Sequence, residues 1–235
     1  MIRSNTRIIW WKPNSPSRFE MKVFLAFALL LFAIAGELVA GSLDVMVRND
    51  KGAVVPDAVV YAEAAGARSG PASKRIIIDQ RDRQFVPYVT ALQVGAAVLF
   101  PNSDNIRHHV YSFSPAKKFE LPLYTGVPAE PVVFDKVGFV TLGCNIHDWM
   151  IAYVAVLPTP YFQITGKEGH ALLRDLPAGQ YTVRAWHPAL KGQPEAFAQH
   201  ADISGGGAKD LSFTLPLKPD VRARQAPGLA TGGYR

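Results

Sequence analysis

The sequence predicts an all-β protein built as a β-sandwich or barrel, and three observations lead to this prediction. Short apolar runs rich in β-branched and aromatic residues recur along the 235 residues, and turn-forming residues separate them. Glycine and proline are frequent, at 19 and 18 residues, which suits a turn-rich chain better than a helical bundle. Beyond the N-terminal segment, no apolar run is long enough for a buried helix. The length allows one or two domains.

Five strands are predicted in the first half of the chain. Residues 42–48 alternate apolar with polar side chains, as a strand with one buried face does. The turn sequence Asn49-Asp50-Lys51-Gly52 then separates this strand from the next one. Residues 102–105, Asn-Ser-Asp-Asn, have the composition of a loop. The other four predicted strands occupy residues 58–62, 75–79, 97–101 and 110–113.

Further strands are predicted in the second half. Residues 132–134, 139–142 and 151–157 form one group, and the last is an unbroken apolar run, as expected of a strand inside a sandwich. Pro158-Thr159-Pro160 ends this group. A new strand-and-turn pattern then extends from residue 161 to residue 217. The last residues, 218–235, are rich in Pro, Gly, Ala and Arg without periodicity, and we predict a disordered tail.

Residues 1–40 are predicted to be a leader that contains a signal peptide whose true start is Met21. Lys22 supplies a positive flank, and residues 23–35 form an apolar run that is short for a membrane span. Small residues follow, and we predict cleavage near Ala40. The expected location is therefore the periplasm or the extracellular space, with an uncleaved N-terminal anchor as the alternative.

Charge and cysteine content narrow the function. The chain has 25 basic and 19 acidic residues, and without the leader's five basic and two acidic residues 20 and 17 remain. This surplus is too small to indicate nucleic-acid binding, although it could favour an acidic partner. Cys144 is the single cysteine, so an internal disulfide is impossible. A free thiol in an oxidising compartment indicates either deep burial or metal ligation.

The segment 144–150 contains three candidate metal ligands. Cys144, His147 and Met150 place a thiolate, an imidazole and a thioether within seven residues. These are copper ligands, and two His with one Cys and a weak axial Met form a blue electron-transfer site. The fourth donor must lie elsewhere in the chain, and the candidates are His108 and His109. Side chains alternate across a strand, so only one of these two histidines can face the metal. Zinc also accepts Cys and His, but a thioether is a poor zinc ligand.

The central residues resemble the cupredoxin family. Phe85-Val86-Pro87 and the segment 92–104, LQVGAAVLFPNSD, are similar to its N-terminal signature, F-x-P followed by V-x-x-G-x-x-V-x-F-x-N-x-D. The segment 134–138, with Cys144 six residues after its glycine, is similar to the family's approach to its cysteine. The spacing C-x2-H-x2-M matches the short loop of the amicyanin type. The chain departs from the family at Ile146, which often is Pro, and at His109, which usually is Asn.

This resemblance implies a Greek-key β-sandwich over residues 75–157 with one copper ion that cycles between Cu(I) and Cu(II). The implied ligands are His108, Cys144, His147 and Met150, because the family's first ligand lies six residues after the signature Asn in an H-x-V context. The second histidine ligand lies near the surface in the family, within an apolar patch where partners dock. An electron carrier is therefore expected rather than an enzyme, with periplasmic partners such as a dehydrogenase or a c-type cytochrome.

The flanking segments resemble the two halves of a transthyretin-like, carboxypeptidase-regulatory-like β-sandwich. Residues 42–66 correspond to the first half and residues 160–217 to the second. We therefore predict one small Ig-like sandwich that is split by insertion of the copper domain, since insertion between nearby ends is tolerated. In the alternative, residues 42–66 add strands to the central domain. Neither segment shows a catalytic set of residues.

Two other functions compete with electron transfer. A copper-handling protein would store or deliver the ion and would be expected to carry extra soft ligands. Met46 is the only other methionine in the predicted mature chain, which disfavours that interpretation. An adhesion or scaffold protein without metal is the other possibility, and the full set of four ligands disfavours it.

Overall fold

A computed structural model describes residues 40–64, 75–128, 130–203 and 207–219. The predicted leader and tail, residues 1–40 and 218–235, lie outside this part except for their innermost residues. The all-β class is confirmed, because the only helix in the described part is one 3₁₀ turn, Pro194–Phe197. None of the described residues form a helix long and apolar enough to cross a membrane.

Seventeen strands form the sheets of the described residues, in the following chain order. They are β1 (Gly41–Asn49), β2 (Val59–Ala64), β3 (Ile76–Ile77), β4 (Asp79–Arg81), β5 (Gln84–Val86), β6 (Val89–Gln93), β7 (Ala96–Leu99), β8 (His108–Ser114), β9 (Lys117–Tyr124), β10 (Val132–Phe134), β11 (Gly138–Gly143), β12 (Ile151–Leu157), β13 (Phe162–Ile164), β14 (His170–Leu176), β15 (Gln180–Trp186), β16 (Gln199–Asp202) and β17 (Gly207–Leu215).

The central strands form a sandwich. One sheet has the order β6-β12-β11-β8-β9, a second has the order β10-β7-β3, and β4 and β5 form a short hairpin. Side chains of both larger sheets share one buried cluster, to which Val110, Val140 and Val154 contribute from the first sheet and Val98 and Phe134 from the second. Two sheets that bury their inner faces against each other in this way form a β-sandwich.

Several central elements differ from the predicted strands, and β5 and β6 were not predicted. The single strand predicted over residues 75–79 is divided at Ile78, whose side chain is fully buried, so that β3 pairs with β7 while β4 pairs with β5. Strand β9 was not predicted, because its sequence, KKFELPLY, mixes charges and a proline with apolar residues. It lies at the edge of its sheet, where lysine and proline are common because they discourage pairing with other chains.

The strands on either side of the central segment pair with each other. β1 pairs with β14 and β17, and β2 pairs with β13 and β15, which gives sheets of the order β14-β1-β17 and β13-β2-β15-β16. Buried side chains of these two sheets, such as Val45 and Val60, share one cluster, so the two sheets form a second sandwich. The alternation predicted for residues 42–48 is present, since Leu43, Val45 and Val47 are completely buried. The predicted boundaries of the three segments stay a prediction, and residues 65–74 lie outside the described part.

The order of strands in the five-stranded sheet decides where the candidate ligands meet. β11 ends at Gly143, β12 begins at Ile151, and these two residues are paired across the antiparallel strands. The loop 144–150 therefore closes one end of the sheet. Gly143 also pairs with Tyr111 of β8, the strand that begins at His108. The loop and the first residues of β8 are consequently neighbours, although about 35 residues separate them in the chain.

Candidate metal centre

The loop 144–150 presents its side chains in two directions. Cys144 and Met150 are 3% and 1% exposed and belong to the core of the central sandwich. His147 is half-buried, whereas Ile146 and Asp148 are exposed. The backbone N–H of Met150 donates to the carbonyl of His147 at 2.9 Å, and this turn sends the chain back into the core. The loop therefore buries its two sulfur atoms and leaves one imidazole near the surface.

His108, Cys144 and His147 form a group of possible metal ligands. One donor atom from each residue lies within 4.8 Å of the others. The ring centroids of His108 and His147 are 5.1 Å apart, and the ring planes are inclined by 61°. The Nδ1 atoms of both rings are buried, and neither has a hydrogen-bond partner among the described residues. Buried polar atoms without partners are costly. His109 Nδ1 is also buried without a partner, so it is the grouping of His108 and His147 with Cys144 that indicates a shared ligand.

Asp104 fixes the orientation of the His108 ring. The carboxylate accepts a hydrogen bond from His108 Nε2–H at 2.6 Å, and the backbone N–H groups of Asp82 and Arg83 donate to it at 2.7 and 2.9 Å. Burial alone would raise the pKa of Asp104, but the Arg83 N–H, the His108 ring and the Asp82 N–H outweigh it and lower the pKa. An ionised carboxylate only accepts hydrogen bonds, so the proton lies on Nε2 and the Nδ1 lone pair is free.

His147 is held in its neutral form by its surroundings. Burial lowers its pKa, electrostatic interactions with the His108 ring and with Arg83 lower it further, and Asp104 opposes them. The ring of Trp149 packs 5.1 Å from the His147 ring, inclined by 46°. A neutral imidazole with a free nitrogen is the form that binds metals.

Met150 and Cys144 both line one surface cleft. The cleft has a volume of about 440 Å³ and is lined in addition by Tyr111, Phe113 and Leu142, among others. Met150 thus shares this cleft with one member of the donor group. This leaves it available as a fourth, weaker ligand.

His109, the other histidine at the start of β8, has a different partner. Its Nε2 forms a hydrogen bond with Glu120 of β9 at 2.9 Å, and its ring packs 5.4 Å from Tyr111. The pairing register shifts opposite His109, where one residue of β8 faces two residues of β9. The alternation within β8 is kept: His108 shares its buried face with Val110 and Ser112, and His109 lies on the other face with Tyr111. His108 is the histidine beside Cys144 and His147.

Asn102 organises the loop that leads to His108. Its side-chain amide donates to the carbonyls of Ile106 and Tyr124, both at 2.8 Å, and its side-chain oxygen accepts the backbone N–H of Asp104 at 3.0 Å. Sequence reasoning used Asn102 and Asp104 only as motif positions and missed their contacts. The spacing of four residues between Asp104 and His108, together with the Asn-Ser-Asp-Asn composition, is the signal that could have indicated them.

The donor set fits a soft or borderline metal ion. Two neutral imidazoles, one thiol that ligates as a thiolate and one thioether are the donors that copper prefers. Zinc would bind the two histidines and the cysteine, but a thioether is a poor zinc ligand. The arrangement is therefore chemically best suited to copper.

Comparisons with known proteins yield likeness only at the level of structure. No protein-family model matches the chain, and no curated protein sequence matches it significantly. A copper-containing nitrite reductase from Thermus scotoductus is 20% identical over 40% of this chain, with a TM-score of 0.33. A purple cupredoxin from Nitrosopumilus maritimus is 23% identical over 36% of this chain, with a TM-score of 0.31. An oxidised mutant of amicyanin is 18% identical over 41% of this chain, with a TM-score of 0.33.

These structural neighbours differ in how much of them is matched. The chain spans 26% of the nitrite reductase, whereas it covers 100% of the purple cupredoxin and 99% of the amicyanin. In each case the likeness is confined to less than half of this chain.

Proposed function

We propose that the protein is an exported type 1 copper protein that binds one copper ion and carries single electrons. The observation that supports this most directly is the pair of buried, unpartnered Nδ1 atoms of His108 and His147 beside the thiol of Cys144. Met150 supplies the weak axial thioether. Copper bound to such a set would alternate between Cu(I) and Cu(II) and so exchange one electron at a time.

The chain holds these four side chains in place from rigid elements. His108 begins β8, Cys144 follows the last residue of β11, and Met150 precedes the first residue of β12. Asp104 keeps the His108 ring from rotating, and the core packs around both sulfur atoms. Ligands that cannot move favour fast electron exchange, because neither oxidation state requires rearrangement of the site.

Electrons are proposed to enter and leave at the edge of His147. It is the only one of the four side chains that is partly exposed, since His108 is completely buried and the two sulfur ligands are nearly so. Ile146, 47% exposed, provides an apolar neighbour at this surface. Transient redox complexes use small interfaces, so this limited surface is sufficient for a partner such as a dehydrogenase or a c-type cytochrome. The leader predicted over residues 1–40 supports a periplasmic or secreted location.

Burial of the ligands favours electron transfer over copper handling. A protein that delivers copper exchanges ligands with its acceptor, which requires access to the soft donors. Cys144 and Met150 are almost fully enclosed, and so is His108. Of the four side chains, His147 is therefore the one that an acceptor protein would reach most readily.

Loading the metal-free protein with Cu(II) and recording its absorption spectrum tests the proposed site. We expect an intense blue thiolate-to-copper band at one copper per chain. Cys144→Ser and His108→Ala should each abolish the band, whereas the matched control His109→Ala should keep it. A protein that stays colourless, or that binds zinc in preference to copper at the same residues, would contradict the proposal.

A second measurement separates electron transfer from copper handling. Cyclic voltammetry of the copper-loaded protein should give a reversible one-electron response, and a Cu(I) chelator should remove the reduced ion slowly. Rapid loss of Cu(I) to the chelator without a reversible response would favour the copper-handling function instead.

A further inference from the structure

The turn between β4 and β5 has an unusual backbone. Asp82 and Arg83 connect the two strands, and Arg81 pairs with Gln84 across the hairpin. Their φ angles are 54° and 56°, in the left-handed region. Two-residue hairpins with a type I′ turn require this conformation at both positions, but Asn-Gly and Asp-Gly are the sequences that usually supply it. An arginine at the second position is therefore held in a strained backbone conformation, and another contact must offset the free-energy cost of that strain.

The compensating contact is the carboxylate beside the metal centre. The N–H groups of the two central residues of such a turn point outward and find no partner inside the hairpin. Here the N–H of Asp82 donates to one oxygen of Asp104 and the N–H of Arg83 donates to the other. The second oxygen also accepts Nε2–H of His108. The turn, the carboxylate and the histidine thus form one continuous chain of hydrogen bonds.

Further contacts attach the hairpin to the segment that carries Asp104. Gln80 of β4 is bridged to Asn102, and its carbonyl accepts the backbone N–H of Ser103 at 2.9 Å. The hydroxyl of Ser103 lies 2.9 Å from both carboxylate oxygens of Asp79. The hairpin and the residues before His108 are therefore held together at several points.

We propose that the Asp82–Arg83 turn is a positioning device for the metal centre: its two backbone N–H groups hold Asp104 so that His108 presents Nδ1 to Cys144 and His147. The metal that Nδ1 would bind rests on the proposed function, but the orientation of His108 is a property of the metal-free chain. The turn acts through its backbone, and its two side chains are dispensable for this role.

Two double variants separate the backbone from the side chains. Asp82→Gly with Arg83→Gly removes both charges but adopts positive φ easily, so the N–H groups stay in place. Asp82→Val with Arg83→Val removes the same charges, but a β-branched residue strongly disfavours positive φ. Asp175→Val is the matched control for strain in general, because Asp175 has a φ of 57° at the end of β14, in the other sandwich.

The first readout is the tautomer of His108 in the metal-free protein, from long-range proton–nitrogen correlations of the imidazole in NMR spectra. The wild type, the double-Gly variant and Asp175→Val should show one Nε2–H tautomer with a slowly exchanging proton. The double-Val variant should show a mixture of tautomers and rapid exchange. An unchanged His108 signal in the folded double-Val variant would overturn the proposal.

The second readout is copper affinity by competition with a chelator. At about pH 8, where His147 is neutral with or without the Arg83 charge, the double-Val variant should bind roughly 10- to 100-fold more weakly, whereas the double-Gly and Asp175→Val variants should match the wild type. If the wild type binds no copper while the His108 tautomer still depends on the turn, the proposed function fails and the positioning role stands. If the double-Val protein does not fold, Asp82→Val and Arg83→Val are measured singly, and a His108 signal unchanged in both overturns the positioning role.

Discussion

At the scale of single residues, the site depends on Asp104 as well as on its four candidate ligands. The carboxylate does not face the donor group, yet it decides which nitrogen of His108 is free. A carboxylate in this position fixes both the tautomer and the ring orientation of a ligand. Substitutions that keep its shape and change its hydrogen bonding are therefore the most informative.

Asp104→Asn should weaken copper binding although it removes no ligand. The carboxylate accepts from Asp82 and Arg83 N–H and from His108 with two oxygens, but the amide has only one accepting oxygen. At least one of these donors then faces the amide NH2 group, so the hold on the His108 ring is weakened. We expect affinity to fall roughly 10- to 100-fold in a chelator competition. Asp148→Asn, which changes an exposed carboxylate of the ligand loop, should bind like the wild type. Equal losses in the two variants would indicate a general effect of charge instead.

The same residue should make the stability of the metal-free protein depend on pH. The pKa of Asp104 is lowered in the folded chain, so its carboxylate stabilises the fold at pH values above its unfolded pKa of about 3.9. This contribution is lost as the pH falls through the lowered pKa. In urea unfolding, the stability difference between wild type and Asp104→Asn should be constant between about pH 5 and 7 and shrink below about pH 4. A difference that persists undiminished at about pH 2 would contradict this assignment.

At the scale of elements, the loop between β7 and β8 sets the start of the strand that bears His108. Asn102 holds this loop through three hydrogen bonds, two of them donated to backbone carbonyls, those of Ile106 and Tyr124. The loop is therefore a rigid support rather than a mobile connection.

Asn102→Ala should destabilise the protein by about 2 to 4 kcal/mol, because two carbonyl groups lose their donor in a site that water reaches poorly. Chemical unfolding followed by tryptophan fluorescence measures the loss. Asn105→Ala, at an exposed position of the same loop, should stay within about 0.5 kcal/mol of the wild type. If the two variants behave alike, the loop is not organised by Asn102.

At the scale of the whole molecule, the two sandwiches meet through aromatic side chains. Phe139 of β11 stacks on Trp186 of β15 with ring centroids 4.2 Å apart and planes inclined by 9°. Tyr153 of β12 completes the contact with an edge-on approach to Trp186 at 6.4 Å. The described strands of both sandwiches should consequently unfold together.

Trp186→Ala should cost about 3 to 5 kcal/mol, since it empties a buried aromatic site. A double-mutant cycle with Phe139→Ala should give a coupling energy of about 0.5 to 1.5 kcal/mol, as expected of a stacked pair. Phe113→Ala, at an exposed aromatic residue of β8, is the control and should change stability by less than about 0.5 kcal/mol. Two separate unfolding transitions and no coupling would show that the sandwiches are independent.

Local patterns were sufficient for much of the architecture. The alternation in residues 42–48 identified β1, because successive side chains of a strand point to opposite faces. The unbroken apolar run in residues 151–157 identified β12, a strand that is buried inside the sandwich. Strand β9 was not predicted from such patterns. As an edge strand it has a neighbouring strand on one side only, and none of its side chains is fully buried, so its sequence shows no apolar run.

The sequence by itself determined the all-β class and brought Cys144, His147 and Met150 into one short loop, because both depend on spacing along the chain. The resemblance already favoured His108 over His109, and the tertiary structure places His108 beside that loop, because the pairing of β8 with β11 is not encoded by any local pattern. Only the tertiary structure joined the Asp82–Arg83 turn to Asp104 and so to His108. Hydrogen bonds across some 20 residues depend on how strands pair in space, and no local pattern encodes that pairing.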